Sequence, residues 1–198
     1  MTKPRLWFLC FLAVVAAASH ALPHPPNFSP MAAVALFGAA TLPGRWSALV
    51  VPIAALLLGD LLLQVTYWAG WQQHWGFYKG QWVVYACLLP SILLGFAIRS
   101  RRHFATIALA TLGSSLFFFA ATNFAVWAYG SGVSYPKTGA GLLLCYEAAL
   151  PFLKNSLLGD GFYSLVLFGS LALAEALFPV LRTTNSKTEL AYASPLAD

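Results

Sequence analysis

Apolar residues gather into six stretches, 6–22, 31–43, 46–63, 81–98, 104–129 and 162–181, and most of the charge lies between them. Five approach or reach the length a helix needs to cross hydrocarbon, about 17–25 residues. The pattern predicts an all-α membrane protein with six transmembrane helices. Residues 31–43 would make a helix of only about 20 Å, a half-length or tilted second helix of the kind that borders cavities. Residues 139–151 are apolar but too short to span, and Lys137, Glu147 and Lys154 flank or interrupt them. They predict an outer loop with a short re-entrant or surface helix. Gly159-Asp160-Gly161 then predicts a turn and a cap for the last span.

Charge sets the orientation. Counting inter-helix segments alternately from an N-terminus inside, Lys3, Arg5, Arg45, Arg99, Arg101, Arg102, Arg182 and Lys187 fall on one side, and Lys79, Lys137 and Lys154 on the other. The positive-inside rule reads this as N-in, C-in, in a bacterial inner membrane. Composition agrees: 60% of residues are hydrophobic and 9% charged, against about a quarter charged in a soluble domain. The net charge of +5 sits at helix ends and follows from orientation, not from nucleic-acid binding. Residues 1–181 make one transmembrane domain, and the Ser/Thr/Ala-rich residues 182–198 a disordered cytoplasmic tail.

Lys3 and Arg5 ahead of an apolar run, with Ser19-His20-Ala21 after it, loosely fit a cleaved secretory signal. A retained helix is preferred. The run approaches spanning length, and Ala13, Ala16, Ala17 and Ala18 form a flat face for close packing. Cys10, Cys87 and Cys145 are odd in number and in apolar context, which argues against a disulfide framework. No GxxxxGK[ST] loop, HExxH, GxSxG or zinc-spaced Cys/His pair occurs. The sequence predicts neither an enzyme nor a bound cofactor, and any ATP-driven step belongs to another subunit.

Candidate binding residues collect on the outer side. Four prolines in 23–30 hold His24 and Asn27 in an extended loop. Asp60, near the outer end of its helix, is an intramembrane carboxylate, which by default marks function. Between Gln64 and Trp82 lie Tyr67, Trp68, Trp71, His74, Trp75, Phe77 and Tyr78. Two readings stand: an aromatic belt at the interface, or the wall of a pocket for a flat ligand. Asn123 and Trp127 approach the same side from the fifth apolar stretch. Glu175, nearer the cytoplasm, is placed to pair with Arg182.

The run from His24-Pro25-Pro26-Asn27-Phe28-Ser29-Pro30 to Gly38 resembles the opening of an uncharacterised bacterial family of membrane transport proteins. The resemblance continues through Leu58-Gly59-Asp60, Thr122-Asn123-Phe124-Ala125-Val126-Trp127 and Leu150-Pro151-Phe152-Leu153-Lys154-Asn155-Ser156-Leu157-Leu158-Gly159-Asp160. More distantly, the layout is similar to the substrate-binding S-components of energy-coupling-factor (ECF) vitamin transporters. That likeness implies capture of a vitamin or similar small molecule outside and delivery inward, driven by a coupling subunit and its ATPases. It implies that Ala13 and Ala17 meet the coupling subunit, with Arg45, Arg99, Arg101 and Arg102 as further partner contacts. Cobalamin-type S-components are the first relatives to compare, with His74, His24 or Cys87 as the available cobalt ligands. A small integral-membrane enzyme and a structural membrane subunit remain the alternative classes.

Overall fold

The second apolar stretch is hydrophobic on all sides, so a helix built from it has no face to give to water. In the computed structural model, which describes residues 2–71, 73 and 75–182, it forms α2 (Met31–Thr41) at the centre of the bundle. Every residue of α2 from Ala32 to Thr41 is buried. Around it stand α1 (Lys3–Ala18), α3 (Arg45–Trp68), α4 (Gln81–Ala86), α5 (Leu89–Ile98), α6 (Phe104–Tyr129) and α7 (Gly139–Leu177). Short 3-10 turns follow α1 at Ser19–Ala21 and α7 at Pro179–Leu181. No strand occurs among the described residues.

Among the described residues, five helical segments are long and apolar enough to cross a membrane: α1 with its 3-10 turn, α3, α4 with α5, α6 and α7. Close approach to α2 depends on small residues. A methyl group on Gly38 would lie 2.1 Å from Cγ of Pro52 on α3, and one on Gly95 of α5 would lie 2.5 Å from the Leu36 carbonyl. Phe37 meets Phe168 of α7 edge-on, ring centres 5.1 Å apart. The expectation of a short second helix is met, but α2 is wrapped by other helices and borders no part of the large cleft described below.

The last third of the chain corrects the sequence reading. Residues 139–151 are not a loop helix, and Gly159-Asp160-Gly161 is neither turn nor cap. Both lie inside α7, a single helix of 39 residues, about 58 Å long. Pro151 removes one backbone donor, and helices in membranes accommodate such breaks. Gly159 is kept small by the loop from α1 to α2: a methyl there would lie 3.0 Å from the Ser29 nitrogen and 3.1 Å from Cα of Phe28. The first half of α7 packs on the end of α6, where the Tyr146 hydroxyl donates to the Ala120 carbonyl (2.7 Å) and Cys145 Sγ approaches the Asn123 carbonyl.

Arg5, Arg45, Arg99, Arg101, Arg102 and Arg182 all lie at the end of the bundle where α1, α3 and α6 begin and α5 and α7 finish. There Arg5, 1% exposed, pairs with Glu175 and donates to the Leu181 carbonyl. The predicted partner of Glu175 is thus replaced. Arg182 donates instead to the backbone carbonyls of Glu175 (2.8 Å) and Ala176 (3.1 Å). Lys187 and the rest of the tail beyond Arg182 lie outside the described residues.

Candidate functional site

Asp60 is the centre of a polar cluster at the end opposite the arginines. It is 4% exposed and faces two segments, α4 and the loop before it. From α4, Gln81 Nε2 donates to its carboxylate at 2.5 Å, and the Tyr85 hydroxyl donates to the same oxygen. One helical turn on from Asp60, Gln64 Oε1 accepts the N–H groups of Gly76 (3.1 Å) and Phe77 (3.3 Å). Gln81 also donates to the Gly76 carbonyl at 3.1 Å. Gly76 carries no side chain because none fits: a methyl would lie 1.8 Å from the Asp60 carbonyl oxygen.

Residues 75–78 therefore lie against α3 and close the cluster. Gly80 (φ 94°), just after them, and Gly70 (φ 76°), just after α3, adopt left-handed backbone that L side chains rarely take. Burial first, and then the Asp60 charge, push the Tyr78 phenol in this segment above its usual range.

Most of the other predicted residues do not join this cluster. His24 stacks on His20 with ring centres 5.1 Å apart, and its nitrogens face the carbonyls of Pro25 (3.0 Å) and His20 (3.3 Å). Asn27 is exposed and takes φ 63°, which turns the loop. Trp68, Trp71 and Trp75 are 73%, 79% and 62% exposed, and Tyr78 is half exposed, as interface anchors would be. Asn123 Nδ2 donates within its own helix to Phe119 (2.8 Å), and Trp127 Nε1 donates to Pro136 (2.9 Å), holding the loop between α6 and α7. His74 lies outside the described residues. Cys87 is buried where α4 meets α5. Among the described residues no three of His, Cys, Asp and Glu gather as a metal site.

The stripe of small residues on α1 is occupied within the chain. Ala13 and Ala17 are each 1% exposed, and a methyl on Gly59 of α3 would lie 2.5 Å from the Ala17 carbonyl. Arg99 is likewise engaged, donating from Nε (3.1 Å) and Nη2 (2.8 Å) to the Ala39 carbonyl near the end of α2. Arg45 and Arg101 are exposed and Arg102 is half-buried.

Sequence reading missed Gln64, Gly76, Gln81 and Tyr85, and it misjudged Asp160. A signal for the last was present: Leu57-Leu58-Gly59-Asp60 recurs as Leu157-Leu158-Gly159-Asp160. In both copies the glycine admits a neighbouring backbone and the aspartate is buried. Asp160 accepts from Ser115 Oγ at 2.6 Å and interacts with the Ala33 N–H at the start of α2. The motif thus serves two different neighbours with one design, a close approach followed by a buried acceptor.

A second feature was not foreseen. Between α6 and α7 runs a cleft of about 830 Å³. Arg99, Ser100 and Arg102 form its mouth at the basic end, beside Glu175. Ile107, Leu112, Leu165 and Phe168 line its apolar walls, and Thr111, Ser115 and Ser164 give a narrow polar strip. In that strip Thr111 donates to Ser164 at 3.0 Å.

No curated protein and no solved structure matches this chain. Over residues 1–181, which take in the helices α1 to α7 and both sites, it matches a family of unknown function, DUF6580, and belongs to that family.

Proposed function

We propose that the protein is a substrate-binding membrane subunit for uptake of a vitamin or similar small molecule, captured at Asp60 and delivered toward the basic end. The observation that carries this reading is the closed polar cluster. A carboxylate, two carboxamides and a phenol share the end of an apolar bundle, covered by a single loop instead of a helix. Polar groups at membrane depth are expensive and mark function. The left-handed Gly80, next to residues 75–78, suits a lid that lifts. Lifting it frees Gln64 from the Gly76 and Phe77 amides and frees Gln81 from the Gly76 carbonyl. A ligand carrying N–H or O–H donors then replaces the loop.

The positive-inside rule puts the arginine end in the cytoplasm of a bacterium and Asp60 toward the outside of the inner membrane. With no phosphate-binding loop in the sequence, energy would come from a partner, as in ECF transporters, with exposed Arg45 and Arg101 as contact points. The cluster favours a ligand smaller and richer in donors than a corrinoid, since His24 and Cys87 already have structural places. The test is ligand release. Protein purified in mild detergent is denatured and the released small molecules identified by mass spectrometry. A compound present with wild-type protein and lost in Asp60→Asn and Gln64→Ala supports the reading. Identical small molecules from all three proteins would make the cluster a structural tie between loop and helices.

A further inference from the structure

We infer that the cleft between α6 and α7 binds an anionic phospholipid from the leaflet at the basic end, its phosphate at Arg102 and an acyl chain along the two helices. This does not depend on what the Asp60 cluster binds. Three observations carry it.

The first is depth. Phe104 and Ser115 mark the two ends of the cleft on α6, about 17 Å apart at 1.5 Å per residue. On α7 its lining runs from Leu157 to Glu175, about 27 Å. The hydrocarbon core of a bilayer is about 30 Å thick, so the cleft runs from the basic end at headgroup level through half or more of that thickness, long enough for an acyl chain. Its volume of about 830 Å³ lies within the range of small-molecule sites, about 300–1,000 Å³.

The second is charge. Arg99 and Arg102 form the mouth, and Arg5 is buried behind it with Nε and Nη2 unpartnered. Against these three guanidinium groups stands the Glu175 carboxylate, already paired with Arg5. Arg99 is bonded to the neutral carbonyls of Ala39 and Gly44, and among the described residues no carboxylate pairs with it. Arg102 makes no hydrogen bond among the described residues. Burial first, and then the Arg5 charge, lower its pKa from the usual guanidinium value, with Glu175 opposing and Arg99 adding to the effect. An anion at the mouth corrects this imbalance, and anionic headgroups attract arginine at such a position.

The third is shape. Gly161 and Gly169 stand in the cleft wall with nothing within 4 Å of where a methyl would be. At Gly38, Gly59, Gly76 and Gly95 the space is already filled by protein. The cleft glycines keep room that no part of the described chain occupies.

The experiment uses full-length protein in detergent and native mass spectrometry with added dioleoyl phosphatidylglycerol or dioleoyl phosphatidylcholine. Wild-type protein is expected to keep one phosphatidylglycerol with about a tenfold preference over phosphatidylcholine. Arg102→Gln should reduce that preference at least fivefold, and Gly161→Leu with Gly169→Leu should abolish retention of both lipids. Equal retention of the two lipids by wild-type protein, or a preference unchanged in both variants, overturns the inference. A variant that fails to fold is replaced by cross-linking on wild-type protein, with a phosphatidylglycerol carrying a diazirine on its acyl chain. Labels should map to 107–115 and 161–169. Labels spread evenly over the lipid-facing residues of α1 and α3, or a partner protein filling the cleft without lipid, overturn it equally.

Discussion

Asp160 and Arg99 hold opposite ends of the same buried helix. Asp160, from α7, stands at the Ala33 N–H in the first turn of α2, and Arg99, following α5, donates twice to the Ala39 carbonyl in the last. The N-cap residue of α2, Pro30, offers no side-chain hydrogen bond, and Ser29 Oγ accepts only the Met31 N–H, at 3.3 Å. A short helix sealed in apolar surroundings leaves orphan donors at one end and acceptors at the other. A carboxylate at the N-terminus and a guanidinium at the C-terminus match the helix dipole in sign.

Removing either side chain should therefore loosen α2. Hydrogen bonds to charged groups contribute about 1.5–3 kcal/mol, so Arg99→Ala and Asp160→Ala should each cost about 2 kcal/mol. The readout is thermal unfolding in detergent. Ser115→Ala should couple to Asp160→Ala, the double variant falling short of the sum because Ser115 donates to that carboxylate. Full additivity would mean that the bond between Ser115 and Asp160 adds nothing to stability.

The central place of α2 was half legible. Its length predicted a short helix, half-length or tilted, and that much follows from the 13-residue apolar stretch alone. That it is enclosed and not beside a cavity depends on Gly38, Gly95 and Pro52, three small or rigid residues on separate helices whose meeting no periodicity announces. Pro151 and Gly159-Asp160-Gly161 misled because their local preference is for turns. In α7 the helix continues because Gly159 admits the loop at Phe28 and Ser29 and Asp160 reaches α2, contacts between residues more than a hundred positions apart. Asp60 was legible as a buried carboxylate, whereas its neighbours Gln64 and Gln81 are ordinary polar residues until Gly76 and Phe77 fold onto them.

Glycines at close approaches and glycines at open space should respond to alanine with opposite signs. A methyl on Gly95 meets the Leu36 carbonyl at 2.5 Å and Ala39 Cβ at 2.6 Å, so the backbones must part. Overpacking of this kind costs about 1–3 kcal/mol. Gly169 has no neighbour within 4 Å, and alanine is the better helix former by about 1 kcal/mol. Melting temperatures should fall in Gly95→Ala and hold or rise in Gly169→Ala. The reverse order would place the α2–α5 contact wrongly.

The Arg5–Glu175 pair ties the first helix to the last. Breaking a buried pair by removing one partner costs about 3–5 kcal/mol, while replacing both by apolar groups is close to neutral. Glu175 is 29% exposed, so the lower figure applies. Arg5→Met and Glu175→Leu should each destabilise strongly, and the double variant should recover most of the loss. A double variant as unstable as the sum of the two would assign the effect to packing and not to charge.

The aromatic segment gives the test that separates anchoring from binding. Trp71 and Trp75 are mostly exposed, whereas Asp60 and Gln64 beneath them are buried. An interface tryptophan is quenched by lipids brominated near the headgroup more than by lipids brominated at the chain end. With Trp71 as the only tryptophan kept, that pattern is expected after reconstitution. Trp71→Ala and Trp75→Ala should then retain the co-purifying small molecule at wild-type level while lowering stability in liposomes, and Asp60→Asn should lose the molecule with its melting temperature nearly unchanged. Exposed rings contribute little desolvated contact area, and binding energy concentrates in buried groups. Retention of the molecule by Asp60→Asn together with its loss from both tryptophan variants would move the site from the cluster beneath the loop to the loop itself.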